Sequence, residues 1–443
     1  MDNTIKIKPY ILVIFFLGIF SSFINIRLGL TILLFFICFY NVLIRKEDIF
    51  KPSNYFKAWY FYYFGFGNIC YHIRASFGLI EKYSEKTQNE GLIIAVVFIL
   101  LLQLLLTKTT NKKIIVQKNV NIIFIKFNLP LILFFVITQS LLMFLFWYKL
   151  GGIPLFIKGY HDSKKATLGT GLGYFEYLIS FLQYPFLMCI MAYYCKSKKD
   201  KLLKLLCFFV YFIILPLLND SRSAMLNNLI MVFIFYSWNK RRIPFKFLIV
   251  SGIALVFLAT VWGIFRSGNV ASGSIILLLE IAVEYDNYLD VLNIFPSLFD
   301  YTLGRTYIAC ITLLIPRFLM PNKNDYMTGG EYFKYIKHHD HIRVGERFTF
   351  PGECYMNFSF IGIILGLFLV LIILKYADSL YIKRNNFIYQ SFSYFFMGFT
   401  VSLLAGDTAS AFSASFISLI VLIIIVYLLS QLIVKRSTCN DIT

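Results

Sequence analysis

Charged side chains are scarce in this chain. Asp, Glu, Lys and Arg make up 15% of its 443 residues, whereas hydrophobic residues make up 59%. A water-soluble domain carries about a quarter charged residues, so this composition excludes a protein that is surrounded by water on all sides. Glycine patterns that bind nucleotides are missing too, since there is neither a Walker loop nor a GxGxxG run. We therefore expect no soluble nucleotide-binding domain.

Metal-binding and disulfide patterns are also missing. The eight cysteines form no CxxC pair, and most lie in apolar runs, which is typical of small buried side chains. The histidines His338, His339 and His341 are spaced so that at most two can point the same way, and no cysteine or carboxylate completes a convincing zinc set. We predict neither a metal site nor a cofactor.

What the sequence does contain is a series of long apolar runs. They are continuous rather than alternating, and lipid leaves no backbone group unpaired, so each run predicts a helix. The first run lacks an A-x-A cleavage site and is read as a retained span. The predicted fold is an all-α polytopic integral membrane protein, a single membrane domain over residues 1–443. It has about twelve transmembrane helices (eleven to thirteen). The predicted spans lie near 10–26, 28–44, 56–73, 91–106, 129–148, 174–195, 203–218, 224–238, 246–265, 354–374, 387–405 and 410–433.

Lysine and arginine are concentrated in alternate connections between these runs. If both termini are cytoplasmic, the inner segments carry the whole formal net charge of +19 and the outer segments are neutral. The excess of positive charge then sets the orientation of the chain in the membrane. It does not indicate a nucleic-acid partner.

One predicted outer segment is long. It covers residues 266–352, between spans nine and ten, and is an extracytoplasmic loop. Within it, 274–295 has an apolar helical face and predicts an amphipathic helix on the outer membrane surface. The stretch 302–321 is apolar but interrupted by Pro316, and we expect a short helix that is partly embedded in the membrane. A full span there would break the parity of the topology.

Arginine is enriched on the predicted outer face. Its planar guanidinium binds two phosphate oxygens at once and stays charged near lipid. This enrichment favours an anionic ligand on the outer face. The alternative is that these arginines pair with outer acidic residues, and both can hold at once. The candidates for phosphate binding are Arg222, Arg266, Arg305, Arg317, Arg343 and Arg347.

A few other polar residues are candidates for chemistry at the outer membrane edge. Glu353 and Asn357 are four apart and share one helical face. Glu353 could act as a general base or as a helix-dipole partner. Asp407 is a weaker candidate of the same kind, Asp220 is either a cap or a binding residue, and His341 could act as an acid or base.

The local pattern around Glu353 resembles a known family. Together with the run NDSRS after span seven and the large late outer loop, it is similar to bacterial oligosaccharide repeat-unit polymerases of the Wzy type, which build O-antigens and capsules. Ser359 stands where that family commonly has glycine. The residues that carry the resemblance are Gly352, Glu353, Tyr355, Asn357, Phe358, Gly362 and Gly366.

The resemblance implies a substrate and a reaction. The substrate would be undecaprenyl pyrophosphate carrying a sugar repeat unit, and the growing chain would move from its lipid pyrophosphate to a sugar hydroxyl of a new unit. The six arginines would stabilise the pyrophosphate that leaves. Glu353 or His341 would deprotonate the acceptor hydroxyl, without a metal. Contact with the sugar is expected from Asp220, Tyr355, Asn357 and Asp407.

The same resemblance implies a place in the cell and a set of partners. The fold would be similar to membrane glycosyltransferases that use lipid donors, in the bacterial cytoplasmic (inner) membrane. The expected partners are the lipid-linked oligosaccharide, membrane lipid, a chain-length regulator and a flippase.

Two other functions stay open at this point. A flippase or transporter for lipid-linked oligosaccharides would be expected to have two similar halves and charges in mid-span. Such mid-span charge is nearly absent from the sequence. An O-antigen ligase differs from a polymerase only in its acceptor.

Overall fold

The computed structural model describes most of the N-terminal and C-terminal helices and part of the chain between them. All regular elements in the described residues are helical, which confirms the predicted all-α class for this part of the chain. The described residues are 25–78, 80, 83–109, 129–153, 222–239, 242–248, 250–252, 283–315, 319–322, 326–338, 347–384 and 387–413, with single positions and pairs up to 423.

The principal helices of these ranges are numbered here in chain order. They are α1 (Ile26–Leu43), α2 (Pro52–Phe61), a π-helical segment (Tyr62–Phe66), α3 (Gly67–Ser76), α4 (Glu85–Thr109), α5 (Leu129–Leu150), α6 (Arg222–Asn239), α7 (Val283–Ile294), α8 (Arg305–Thr312), α9 (Gly329–His338), α10 (Phe350–Ile382) and α11 (Phe387–Ala405).

The chain divides into two compact units. In the first, α1 packs on α2 and α4, and α7 packs on α3, α4 and α10. In the second, Phe233 of α6 meets Phe247 edge to face, with 6.2 Å between the ring centroids. The first unit comprises Met1–Asn119, Val256–Ile382 and Phe392–Phe416, and the second comprises Val120–Leu255, Lys383–Ser391 and Ile417–Thr443.

Four described helices are long and apolar enough to cross a membrane, namely Ile26–Leu43, Glu85–Thr107, Phe350–Ile382 and Ile388–Ala405. They coincide with the predicted spans near 28–44, 91–106, 354–374 and 387–405. Helices α5 and α6 fall on two further predicted spans, near 129–148 and 224–238. The predicted spans near 174–195 and 203–218, and most of those near 10–26, 246–265 and 410–433, lie outside the described residues.

The span predicted near 56–73 consists of α2, the π-helical segment and α3 in direct succession. Tyr60 donates a hydrogen bond to the carbonyl oxygen of Ala95 over 3.0 Å, which fixes α2 against α4. In the π-helical segment, Phe64 meets the ring of Tyr288 edge to face at 5.2 Å. The extra backbone residue of a π turn changes which side chains face a neighbour, and here it directs an aromatic side chain at α7.

Helix α10 is broken near its start. The backbone leaves helical geometry at Phe358 and Ser359, and Ser359 has the left-handed φ of 56°. Residues 350–357 fold back along the following helix. The close approach is seen at Gly362, where an added Cβ would overlap the carbonyl oxygen of Cys354, eight residues earlier. A Cβ on Gly366 would lie 2.5 Å from the sulfur of Cys354. We call 350–357 the short arm and 360–382 the long arm of this helical hairpin.

The hairpin differs from the single span predicted near 354–374. Glu353 and Asn357 do share one helical face as expected, but they lie on the short arm and not on the membrane-crossing long arm. The reason is local, since Gly362 and Gly366 remove the side chains that would keep the two arms apart.

Helix α7 is not a surface helix, so the expectation for 274–295 is wrong in its described part. Tyr285 and Tyr288 are fully buried, and Asp286 and Asn287 on other sides of the helix are buried as well. The helix is enclosed by α3, α4 and α10. Its acidic side chains point to basic partners inside the protein rather than to water, and periodicity alone cannot distinguish these two environments.

Helix α8 is the short helix expected in the stretch 302–321. Its eight residues correspond to about 12 Å, well below the thickness of a bilayer. The described residues therefore support the short-helix interpretation over a full span.

Polar contacts gather at the two ends of the first unit. At one end Arg74 pairs with Asp286 at 2.7 Å. At the other end Asp378 accepts a hydrogen bond from the backbone N–H of Ser53 over 3.0 Å, and the hydroxyl of Tyr381 donates to Asp48 over 3.3 Å. Each end thus combines segments that the charge pattern assigns to one side of the membrane.

Candidate functional site

The carboxylate of Glu353 lies in a buried polar cluster at the short arm. The side chain is fully buried. Its Oε1 accepts a hydrogen bond from the hydroxyl of Thr306 over 3.1 Å. Its Oε2 accepts two from Thr408, one from the backbone N–H and one from the hydroxyl, each over 2.6 Å. These three donors take the place of the water molecules that burial removes from the carboxylate.

Asn357 uses its side-chain amide entirely within the protein. The Nδ2 group donates to Thr306 Oγ1 over 2.8 Å and to the carbonyl oxygen of Glu353 over 2.9 Å. The Oδ1 atom accepts from the hydroxyl of Thr302 over 2.6 Å and from the N–H of Gly304 over 3.0 Å. Asn357 is fully buried and has no remaining donor for a ligand.

The loop before α8 closes the end of the short arm. The N–H groups of Thr302 and Leu303 donate to the carbonyl oxygens of Met356 and Asn357, over 3.0 and 3.1 Å. These carbonyls have lost their helical partners because the helix breaks there. The loop turns through Leu303 and Gly304, which have φ values of 47° and 85°. Glycine suits the second position, since a Cβ there would lie 3.0 Å from the ring of Phe358.

Asp407 is the second buried carboxylate of this cluster. It accepts hydrogen bonds from the N–H and the hydroxyl of Ser410, over 2.7 and 3.1 Å, and thereby caps the helical turn that starts at residue 408. It also accepts one from the N–H of Gly330 over 3.4 Å. A Cβ added to Gly329 would lie 2.8 Å from Glu353 Oε1 and 3.1 Å from Asp407 Cβ. The start of α9 therefore fits between the two acidic side chains only because it is glycine.

Tyr355 packs among other rings. It is 8% exposed and meets Tyr301 and Phe360 edge to face, at 5.9 and 5.5 Å. The hydroxyl of Tyr301 donates to Ser359 Oγ over 3.2 Å, next to the break in α10. This aromatic group supports the hairpin turn.

Arg305 lies at the rim of the polar cluster. It is the first residue of α8 and is exposed. Its two chain neighbours are Gly304 and Thr306, which are held by Asn357 and Glu353. Its charge opposes the rise in pKa that burial causes at Tyr332 of α9. Within the described residues no carboxylate forms an ion pair with Arg305.

Arg347 is also exposed, but it has an acidic neighbour. Burial raises the pKa of Glu284, and the positive charge of Arg347 counteracts that rise. The carbonyl oxygen of Arg347 accepts a hydrogen bond from the side chain of Asn287 over 2.7 Å. The alternative of pairing with outer acidic residues therefore applies to Arg347 more than to Arg305.

The other acidic residues of α7 have partners that the sequence argument did not name. Asp286 pairs with Arg74, and Asp290 pairs with Lys337 at 2.7 Å. The hydroxyl of Tyr83 also donates to Asp290. Burial raises the pKa of Asp286 to about 6, against the lowering effect of Arg74. These pairs fix α7 to α3 and α9.

Several predicted site residues cannot be placed. The side chain of Arg222 lies outside the described residues, although Arg222 is the first residue of α6, two residues before the predicted start of that span. The same holds for the whole of Asp220, Arg266, Arg317, His341 and Arg343.

The structure adds three threonines that the sequence analysis missed: Thr302, Thr306 and Thr408. Thr306 and Thr408 supply all three hydrogen bonds to the carboxylate of Glu353. A weak signal was available, because Thr306 follows the candidate Arg305 and Thr408 follows the candidate Asp407. Threonine is too common in helices and caps for this adjacency to be decisive.

The described elements define a helical membrane protein with several spans and a buried polar cluster beside one exposed arginine. Residues 7–437 match the family described as O-antigen polysaccharide polymerase Wzy. The chain therefore belongs to this family of bacterial membrane proteins, which polymerise lipid-linked O-antigen repeat units, and the resemblance predicted from the sequence is confirmed. No curated protein and no solved structure gives a significant match.

Proposed function

We propose that this polymerase transfers the growing chain from undecaprenyl pyrophosphate to a sugar hydroxyl of a new lipid-linked unit. The reaction takes place at the outer face of the cytoplasmic membrane, with both termini of the protein inside. The bond between the chain and its pyrophosphate breaks, a glycosidic bond forms, and the acceptor proton goes to a base. The protein is then a glycosyltransferase that uses a lipid-pyrophosphate donor.

The observation that carries this proposal is the position of Arg305. An exposed guanidinium without an acidic partner in the described part of the chain is available for the leaving pyrophosphate. Developing negative charge on a leaving group is stabilised most by a cation that is already in position. The backbone of Arg305 is fixed, because the residues on both sides of it are hydrogen-bonded to the short arm. Arg222, Arg266, Arg317, Arg343 and Arg347 remain further candidates.

Glu353 and Asn357 fit a positioning role better than direct contact with substrate. Both are fully buried, and both oxygens of Glu353 already accept hydrogen bonds. They hold Thr306 and Gly304, and therefore Arg305. The base is then His341, which the sequence predicts on the outer face, and Asp220 stays as a predicted sugar contact. The predicted sugar contacts Tyr355 and Asp407 are buried as well, so they too fit a supporting role better. A chain-length regulator and a flippase are the proposed partners.

The test is genetic complementation in the encoding bacterium. After deletion of the gene, surface polysaccharide on a gel should carry a single repeat unit, without a ladder of longer chains. The native gene should restore the ladder. Arg305→Ala should not restore it at equal protein level, and Arg305→Lys should restore it only in part, because lysine lacks the paired donors.

The matched control is Arg45→Ala. Arg45 is also exposed, belongs to a predicted cytoplasmic segment and stacks over Tyr40 at 5.6 Å. It should restore the full ladder. Long chains that persist in the deletion strain would contradict the proposal. Full-length chains that are made but left unattached would indicate a ligase instead.

A further inference from the structure

Helix α8 has its polar and apolar faces the opposite way round from a helix of a soluble protein. The side facing the protein interior consists of Thr306, Ala309 and Thr312, which are 1%, 0% and 5% exposed. The outward side carries Ile308 and Ile311, which are 47% and 66% exposed. A soluble helix buries its apolar stripe, so this helix is built to meet an apolar partner on its outside.

The interior face is polar for a reason that lies in the cluster. Thr306 donates to Glu353, whereas the hydroxyl of Thr312 donates to the carbonyl oxygen of Ala309 in its own helix. Polar contacts thus fix the orientation of α8 about its own axis. That orientation turns the two isoleucines outward.

A positive charge stands at one end of the apolar face. Arg305, Ile308 and Ile311 are all exposed and are spaced by three residues, so each is the surface neighbour of the next along the helix. The distance from the first to the last along the axis is about 9 Å. Leu303, two residues before Arg305 in the preceding loop, is 76% exposed and adds an apolar position on the other side of the charge. Along α8 the surface therefore consists of one cationic position followed by about one turn of apolar contact, from Ile308 to Ile311.

We propose that this face of α8 is the docking site for the lipid carrier, with the pyrophosphate at Arg305 and the prenyl chain along Ile308 and Ile311. This inference rests on the proposed function and adds the part of the protein that holds the carrier. An uncharged lipid would need only the isoleucines. A prenyl pyrophosphate has an anionic group at one end of a long apolar chain, and the helix presents the complementary sequence of surfaces.

The experiment measures binding to the full-length protein in nanodiscs that contain phosphatidylethanolamine and phosphatidylglycerol. The probes are undecaprenyl pyrophosphate, uncharged undecaprenol and inorganic pyrophosphate. The variants are Arg305→Ala and the double variant Ile308→Ser with Ile311→Ser. The control is Ile372→Ser on the long arm of α10, because Ile372 is 65% exposed and matches Ile311 in type and exposure.

The double variant should raise the Kd for undecaprenyl pyrophosphate by about tenfold or more and leave the Kd for inorganic pyrophosphate unchanged. Arg305→Ala should raise both. Ile372→Ser should change neither. Thermal midpoints show whether the variants fold, and Ile311→Ser alone replaces the double variant if that one does not.

Two results would overturn the inference. One is a double variant that binds undecaprenyl pyrophosphate as tightly as the Ile372→Ser control. The other is loss of bound undecaprenyl pyrophosphate when the share of phosphatidylglycerol is raised, since the face would then hold ordinary anionic lipid. Either result leaves the proposed function intact as long as the native gene restores the polysaccharide ladder. If the native gene does not restore the ladder in the deletion strain, the proposed function itself is contradicted.

Discussion

Thr408 donates two hydrogen bonds to one oxygen of Glu353, from its backbone N–H and from its hydroxyl, each over 2.6 Å. The two residues are 55 positions apart in sequence, so this contact ties the turn after α11 to the short arm of α10. Together with the bond from Thr306, it gives both oxygens of the Glu353 side chain a hydrogen-bond donor within the protein.

Thr408→Val should destabilise the protein, because valine has the same shape but cannot donate. A buried carboxylate that loses one donor costs about 1–3 kcal/mol. The expected result is a lower midpoint of thermal unfolding in detergent. Thr107→Val is the control, since the hydroxyl of Thr107 makes an exposed bond to the carbonyl oxygen of Leu104. Equal midpoints for the two variants would show that the Thr408 hydroxyl contributes no stability.

Glu353→Gln distinguishes a base from a positioning residue. The amide can still accept from Thr408, and its N–H₂ can donate to Thr306, so the loop before α8 should keep most of its support. We expect kcat to fall less than about tenfold, the KM for the lipid-linked donor to rise, and the pH profile to keep its shape. Loss of a general base would instead lower kcat by about 10²-fold or more. A fall in kcat of that size, with a changed pH profile, would show that Glu353 is the general base.

Gly362→Ala should disrupt the helical hairpin. The added methyl group would overlap the backbone carbonyl of Cys354, which cannot move as a side chain can. Opening the two arms would separate Glu353 from Thr408, so we expect both a lower thermal midpoint and loss of the polysaccharide ladder. Gly398→Ala is the matched control, because a Cβ there meets nothing within 4 Å. Normal chain extension by Gly362→Ala would refute the close approach of the arms.

Arg74→Ala should destabilise the protein in a pH-dependent way. The pair with Asp286 is buried, and burial already raises the pKa of Asp286 to about 6. Without Arg74 that pKa rises further above the value of the unfolded chain. The protonated Asp286 side chain contributes stability at low pH, and this contribution is lost as the pH rises through the pKa that Asp286 has in the folded protein. The defect should therefore be larger at pH 8, about 3–5 kcal/mol, than at pH 5.

The control for Arg74→Ala is Lys86→Ala. The lysine is 84% exposed, and its pair with Glu90 is 3.9 Å long. Its loss should cost less than about 0.5 kcal/mol at either pH. A defect of Arg74→Ala that is the same at both pH values would contradict the assignment to Asp286.

The sequence allowed the membrane-spanning helices to be predicted because continuous apolar runs have few alternative structures in lipid. The positions of α1, α4, α10 and α11 follow from this rule alone. The predicted spans also place Ser53 and Asp378 in connections on the same side of the membrane, after spans two and ten, and these two residues do meet. These features depend on composition averaged over many residues.

The details of the candidate site depend on single contacts and were harder to predict from the sequence. Glu353 and Asn357 were identified, but the fold-back of the short arm was not, because Gly362 and Gly366 in an apolar helix have several explanations. The burial of α7 was missed for a related reason. Its acidic residues could face water or a distant partner such as Arg74, and sequence spacing does not distinguish the two.

The helical hairpin has a consequence for how the protein is made. The short arm has eight residues, too few to enter a membrane as an independent segment. Its partners are the glycines of the long arm and, through Glu353, Thr408 near the last described turns of the chain. During synthesis the polar cluster can therefore close only after residue 408 has been made, so that the short arm waits for a segment 55 residues further along the chain.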